Sequence, residues 1–214
     1  MADIFNEIDE DVRRERYEQL WKRYGNYVIG AALLVVLATT GAVGWREYTD
    51  RQNKAQALRF LNAMEQAQKG DDAGARAGFA SLAGDAGAGY ATLARLQEAG
   101  LLAKAGDAAG AAKIYEQVAA DGRVDQVFRE FATILLVQDQ IAAGEPARLT
   151  QTLAPLMNDK SPWRHSAMEF SALLAQRAGD KAKAKEFYAK LADDLTAPQG
   201  MRARATEMLA IIGG

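Results

Sequence analysis

Hydrophobic and polar positions divide this chain into two unlike parts. Residues 24–45 carry no charged side chain, and Lys22-Arg23 and Arg46 bracket the run. After it, apolar positions recur at helical spacing and charges are interspersed to the end of the chain. An uncharged run of about 20 residues is long enough to cross the ~30 Å hydrocarbon core as one helix. Val28, Ile29, Leu33, Leu34, Val35, Val36, Leu37 and Val43 together contribute on the order of −4 kcal/mol to insertion. Gly25, Asn26, Thr39, Thr40 and the other glycines subtract from that. Trp21, Tyr24 and Tyr27 mark one edge and Trp45 and Tyr48 the other, where amphipathic rings favour the headgroup layer.

A cleaved signal peptide would open with a short basic segment and end in small residues. Ala42 and Gly44 would suit such a cut, but the residues ahead of the run are rich in acids and the apolar stretch is longer than most signal cores. A core helix of a soluble protein would leave the aromatic belts and flanking charges as coincidence. The run therefore reads as an anchor. The expected layout is an N-terminal segment at 1–23, a transmembrane helix at 24–45 and a repeat domain at 46–214.

Charge flanking the anchor is close to balanced. Arg13, Arg14, Arg16, Lys22 and Arg23 precede it, and Arg46, Arg51, Lys54 and Arg59 follow. The small excess, with Lys22-Arg23 tight against the edge, favours a cytoplasmic N-terminus and an exported domain. The sequence contains no cysteine, which suits an oxidising compartment. Ahead of the span, Ile4, Ile8, Val12, Tyr17, Leu20, Trp21 and Tyr24 recur at helical spacing. That pattern fits an amphipathic helix near the membrane surface or a docking helix for a partner.

Beyond the anchor the expected fold class is all-α. Alanine is abundant, β-branched residues are sparse, and Pro146, Pro155, Pro162 and Pro198 fall near helix boundaries. A repeat organises the region. Gly70-Asp71 leads to Ala73, Ala75, Phe79 and Leu82; Gly106-Asp107 to Ala109, Ala111, Tyr115 and Val118. Gly144-Glu145 leads to Ala147, Leu149, Leu153 and Leu156; Gly179-Asp180 to Ala182, Ala184, Tyr188 and Leu191. The glycines lie 36, 38 and 35 residues apart, a period that marks stacked helical hairpins. Glycine would end one helix in a left-handed conformation, and the acid would cap the next. The Ala, small, aromatic and aliphatic positions would line one face of that second helix. First helices are expected at 55–68, 90–105, 127–143 and 166–178, with a capping helix at 201–212. No glycine or proline separates Trp45 from Gly70, so the membrane helix can run into the first hairpin, with Gly41 and Gly44 as the places for a bend.

This frame resembles the tetratricopeptide repeat. Gly106-Asp107 and Gly179-Asp180 stand at its inter-helix turn, and Ala111 with Tyr115, or Ala184 with Tyr188, at its small and aromatic positions. The first helices lack its tryptophan and small-Gly pairing, so the repeats are degenerate. The whole layout is similar to the ancillary subunits of the SecYEG translocon, the YfgM-like family. The features that carry this likeness are the charged N-terminus, Lys22-Arg23-Tyr24-Gly25-Asn26, a Gly-rich span ending Gly44-Trp45-Arg46, and the degenerate repeats. The resemblance implies a Gram-negative inner-membrane protein with its repeats in the periplasm. Its implied partners are translocon subunits, a membrane-anchored prolyl-isomerase-like chaperone and emerging secreted chains.

Chemistry narrows the function further. From Arg46 onward acidic and basic residues balance, which argues against a nucleic-acid surface. His165 is the only histidine, so a nitrogen-and-sulfur metal site cannot be assembled, and no Gly-rich phosphate loop follows a strand. No enzyme activity and no cofactor are expected. Binding remains, and first-helix faces are where a solenoid presents its groove. Leu93, Leu96, Phe131, Ile134, Gln138 and Glu169 are the candidates, and the same residues also read as core between hairpins. Trp163 and Arg164 form a second candidate contact, since these residue types are frequent interface anchors. Without a Lys/Arg cluster to clamp a terminal carboxylate, the groove suits an apolar or partly unfolded segment better than a charged peptide tail. Within the span, Gly30, Ala38, Gly41 and Gly44 favour close helix packing, with another membrane protein or with a second copy in a homodimer. A tetratricopeptide adaptor for envelope assembly or cell division, unconnected to the translocon, would share all these features.

Overall fold

The computed structural model describes residues 2–213 and, except at Val28, the side chains from Leu20 onward. Every regular element among the described residues is helical. The chain divides into two compact units, Met1–Ala55 and Gln56–Gly214. Helix α1, Ala2–Gln68, belongs to both. Helices α2 (Asp72–Asp85), α3 (Ala88–Lys104), α4 (Ala108–Ala120) and α5 (Gln126–Gln140) follow. Next come α6 (Pro146–Leu153) with a 3-10 turn at Ala154–Leu156, then α7 (Arg164–Arg177), α8 (Lys181–Asp193) and α9 (Gln199–Gly213).

In the first unit, α1 is long and apolar enough to cross a membrane, with a mean hydropathy of 2.0 over its best window, none of it buried. Its polar groups are satisfied inside the helix. Thr39 Oγ1 donates to the Val35 carbonyl at 2.9 Å, and Thr40 Oγ1 to the Val36 carbonyl at 2.7 Å. Such internal bonding lowers the cost of placing a hydroxyl in lipid. Helical structure continues through Gly41 and Gly44, so the membrane candidate and the first helix of the repeats are one element. The amphipathic face expected of Ile4, Ile8, Val12 and Tyr17 lies outside the described side chains.

The second unit is a stack of hairpins. The last turns of α1 pair with α2, α3 with α4, α5 with α6 and α7 with α8, and α9 closes the end. Three inter-helix turns are built identically. Gly70, Gly106 and Gly179 have φ of 86°, 87° and 81°, in the left-handed region that costs glycine nothing. The following Asp71, Asp107 and Asp180 each donate their N–H back to the carbonyl of Gln66, Leu102 and Ala175 at 2.9 Å. This closes the preceding helix in a Schellman turn. Their side chains then accept from the N–H of Gly74, Gly110 and Lys183 at 2.9 Å, capping the next helix.

Small, aromatic and aliphatic positions four and three residues apart form the buried stripe of each second helix. Ala75, Phe79 and Leu82 are all fully buried, and Ala111, Tyr115 and Val118, and Ala184, Tyr188 and Leu191, repeat the pattern. The alanine expected to begin each stripe does not join it: Ala73, Ala109, Ala147 and Ala182 are exposed. They sit in the first turn of each second helix.

The third hairpin departs from the frame. Gly144 is not left-handed, Glu145 caps nothing with its side chain, and Pro146 opens α6 instead. Glycine is required at 144 by space: a Cβ there would meet Leu149 Cδ1 at 2.9 Å and the Gln140 carbonyl at 3.0 Å. Helix α5 accordingly ends at Gln140, before the expected boundary at 143, and Ile141 and Ala143 bond only three residues back.

Each of α4, α6 and α8 lies against the helices before and after it, and α3, α5, α7 and α9 also pack directly in sequence. The first helices thus form a continuous inner layer, backed by the second helices.

Candidate protein-interaction face

The inner layer sorts the candidate residues into three groups. Leu96 and Ile134, 6% and 4% exposed, are packed inside two different core clusters, so their surface is used by the fold. Leu93 is half-buried and Gln138 exposed, and these offer area to a partner. Phe131 and Trp163 stack on each other, with ring centroids 4.6 Å apart and planes 18° from parallel. Trp163 Nε1 donates to the Val127 carbonyl at 3.0 Å, which fixes the ring.

Arg164, the other candidate interface anchor, is bound into the fold. Its guanidinium pairs with Asp159 and donates to Asp194 Oδ2 at 2.5 Å and Thr196 Oγ1 at 2.9 Å. His165 Nε2 lies 3.1 Å from the same Asp194 oxygen. Thr196, through its hydroxyl and N–H, and then His165 and Arg164, hold the Asp194 carboxyl far below the usual carboxylate range. Glu169 is likewise engaged, accepting from Arg204 Nε at 2.8 Å and Nη2 at 3.1 Å.

That acid at the end of α8 has counterparts that the sequence reading missed. Arg59 pairs with Asp85 at 3.0 Å, and Arg95 reaches Asp121 at 3.5 Å. Asp121 also takes Arg123 Nε at 2.9 Å, and that bond, with the Arg123 N–H and Arg95, keeps its carboxyl far below the usual range. A signal existed: Arg59 and Arg95, like Asp85 and Asp121, are 36 residues apart, the period of the first two glycines. In three hairpins an inner-helix base grips the acid that ends the outer helix.

Tyr115 and Tyr188 bring polar groups to the boundary between inner helices. Tyr115 is 2% exposed, and its hydroxyl, without a hydrogen bond among the described residues, reaches the surface beside Gly100. Burial and the nearby Asp139 carboxylate push its pKa up to about 12. Tyr188 floors a cavity of about 320 Å³ between α7 and α9, walled by Leu173, Met208, Glu207 and the Glu169–Arg204 pair. Two cations of the inner layer are engaged elsewhere: Lys104 holds Asp72 at 2.9 Å, and Arg177 donates to the Ile141 carbonyl.

On α1, Gly30, Ala38, Gly41 and Gly44 are exposed. A Cβ on any of the three glycines would meet nothing within 4 Å. All four fall within about 120° of the helical wheel, a face on which another helix can approach closely. Gly25 differs, being covered by the Trp21 ring.

A search of curated proteins gives no match. The tetratricopeptide repeat-like domain family matches residues 18–209, a range that takes in the apolar stretch of α1 and all the hairpins. The chain belongs to that family.

Proposed function

We propose that this protein is a non-enzymatic, membrane-anchored accessory of the secretion translocon. Its span would sit in the inner membrane with the N-terminus in the cytoplasm. Its repeats would hold partner proteins or emerging chains in the periplasm. The observation that carries the reading is the covalent union of two interaction elements: an apolar helix with a bare glycine face, running without interruption into a tetratricopeptide-like stack. Small residues allow a membrane helix to approach a neighbour closely, which an ancillary subunit requires. The inner layer offers Leu93, Gln138 and the Phe131–Trp163 stack as contact surface, and its polar groups are built for holding structure together rather than for chemistry.

The test is crosslinking in native membranes from a photoreactive residue at Leu34 or Ala38, with mass spectrometry of the adducts. Adducts to translocon subunits are expected, and a prolyl-isomerase-like chaperone is expected among partners of the repeats. Adducts confined to a second copy or to other envelope proteins would replace this reading with that of a general envelope adaptor.

A further inference from the structure

Two junctions of the inner layer each pair a tyrosine with an exposed carboxylate; the Tyr115 hydroxyl makes no hydrogen bond among the described residues, and that of Tyr188 makes a long one to Gln176 Oε1 at 3.5 Å. At the first, between α3 and α5, Gly100 leaves the backbone of α3 bare above the Tyr115 hydroxyl, and a Cβ at Gly100 would lie 3.8 Å from that oxygen. Asp139 of α5 stands nearby, exposed and without an ion pair among the described residues. At the second, between α7 and α9, Tyr188 floors the 320 Å³ cavity, and Glu207 of α9 is likewise exposed and without an ion pair among the described residues. Hairpins one and three place Phe79 and Leu153 at the corresponding position, which carry no hydroxyl.

Each junction therefore combines apolar walls, a tyrosine floor and an uncompensated carboxylate. The cations that could neutralise them are committed: Lys104 to Asp72, Arg204 to Glu169 and Arg177 to a carbonyl. A tyrosine hydroxyl and a carboxylate together suit an ammonium or guanidinium, and the surrounding leucine and methionine suit its alkyl stem. Bare backbone at Gly100 lets an extended chain come close. With Arg204 already paired to Glu169, the carboxylate left over at each junction disfavours an anionic tail.

We infer that the inner face binds an extended apolar segment carrying two basic side chains, one held at Tyr115–Asp139 and one at Tyr188–Glu207. The inference rests on the reading of the inner layer as the partner-binding face and specifies what that face selects. The junctions are two inner-helix spacings apart, about 20 Å at ~10 Å per packed helix. An extended chain rises ~3.3 Å per residue, so the two basic residues belong about six positions apart.

The experiment is a fluorescence anisotropy titration of the full chain in lipid nanodiscs with labelled ten-residue apolar peptides. One carries lysines six positions apart, one has norleucine at both places, one has glutamates, and one has lysines three apart. The six-apart lysine peptide should bind roughly tenfold tighter than the norleucine peptide, the size expected of two partly solvated charge-assisted contacts. Asp139→Asn and Glu207→Gln should each remove part of that advantage, and Gly100→Leu should weaken binding by filling the notch. Equal affinity for lysine and norleucine peptides would overturn the charge selection. If Gln138→Arg still abolished binding of both, the inner face would stand as the docking surface. Equal affinity at both lysine spacings would overturn the two-point arrangement. Preference for the glutamate peptide, or no binding by any peptide, would overturn the inference, and the latter would also remove the inner face as a peptide-docking surface. Crosslinking from Leu34 or Ala38 reads the translocon association independently of all these outcomes.

Discussion

Burial pushes the Asp139 carboxyl up, and among the described residues nothing cationic pairs with it. Its folded pKa therefore lies above the unfolded value of about 3.9. Between those two values the native state binds more protons than the unfolded one, so stability falls as pH rises through the window. Asp139→Asn should raise the thermal midpoint of the full chain in detergent at pH 7, and the gain should vanish below about pH 4. An unchanged or lowered midpoint at pH 7 would show that Asp139 has a partner in the fold. Asp194 has the opposite sign. Its carboxyl is held low, so its contribution is fully present above about pH 3.9 and is lost as pH falls toward the folded value. Asp194→Asn should lower the midpoint at pH 7, with the gap to the parent closing only in strong acid. The two acids thus carry opposite signs: the partners of Asp194 favour its charged form, and burial disfavours that of Asp139. Neither role was legible in the sequence. Asp194 depends on Thr196 and then on His165 and Arg164, the last two about 30 positions away, and Asp139 on burial that only packing creates. The same limit separated Leu93 from Leu96. Both lie on α3, and only packing shows that one is core and the other reaches the surface.

At the scale of the element, what could be read in advance was what is decided within a few residues. Gly70, Gly106 and Gly179 end their helices, and Asp71, Asp107 and Asp180 cap the next ones, because both devices act over one turn. The third copy kept the letters and changed the physics: Gly144 is needed for its small size, not for a left-handed φ. Single substitutions separate the cases. Gly106→Ala should cost about 1 kcal/mol for forcing a side chain into a left-handed conformation. Asp107→Ala should cost about 1 kcal/mol for the lost cap, whereas Glu145→Ala should cost nothing measurable, since its side chain caps nothing. Chemical denaturation of each variant checks all three, and a cost at Glu145 equal to that at Asp107 would contradict the geometry. Helix α6 follows from the same reasoning. It is 8 residues long, lacks a side-chain cap and borders an open crevice of about 390 Å³ facing α7 and α8. Local stability tracks buried contacts and satisfied ends. Amide exchange in α6 should therefore be faster than in α4 and α8, each of 13 residues with an aspartate cap.

For the whole molecule, the proposed anchoring of α1 raises the question of which side of the membrane carries the second unit. Flanking charge alone scarcely chooses: the five basic residues before the span face four just after it, and only the position of Lys22-Arg23 against the membrane edge tips the balance. The fold adds a constraint. Because α1 continues from the apolar stretch to Gln68 without a break, the turns that follow the span also build the first hairpin. With a single proposed span, one label on the second unit reports the topology. The absence of native cysteine makes that label clean. Leu195, 81% exposed in the loop after α8, is the place to put it, and Ala2 provides the opposite end. In cells whose outer membrane alone is permeabilised, a membrane-impermeant maleimide should modify Leu195→Cys and leave Ala2→Cys untouched until the inner membrane is opened. The reverse pattern would place the repeats in the cytoplasm. It would also deny them any contact with chains leaving the translocon, whatever the glycine face of α1 packs against.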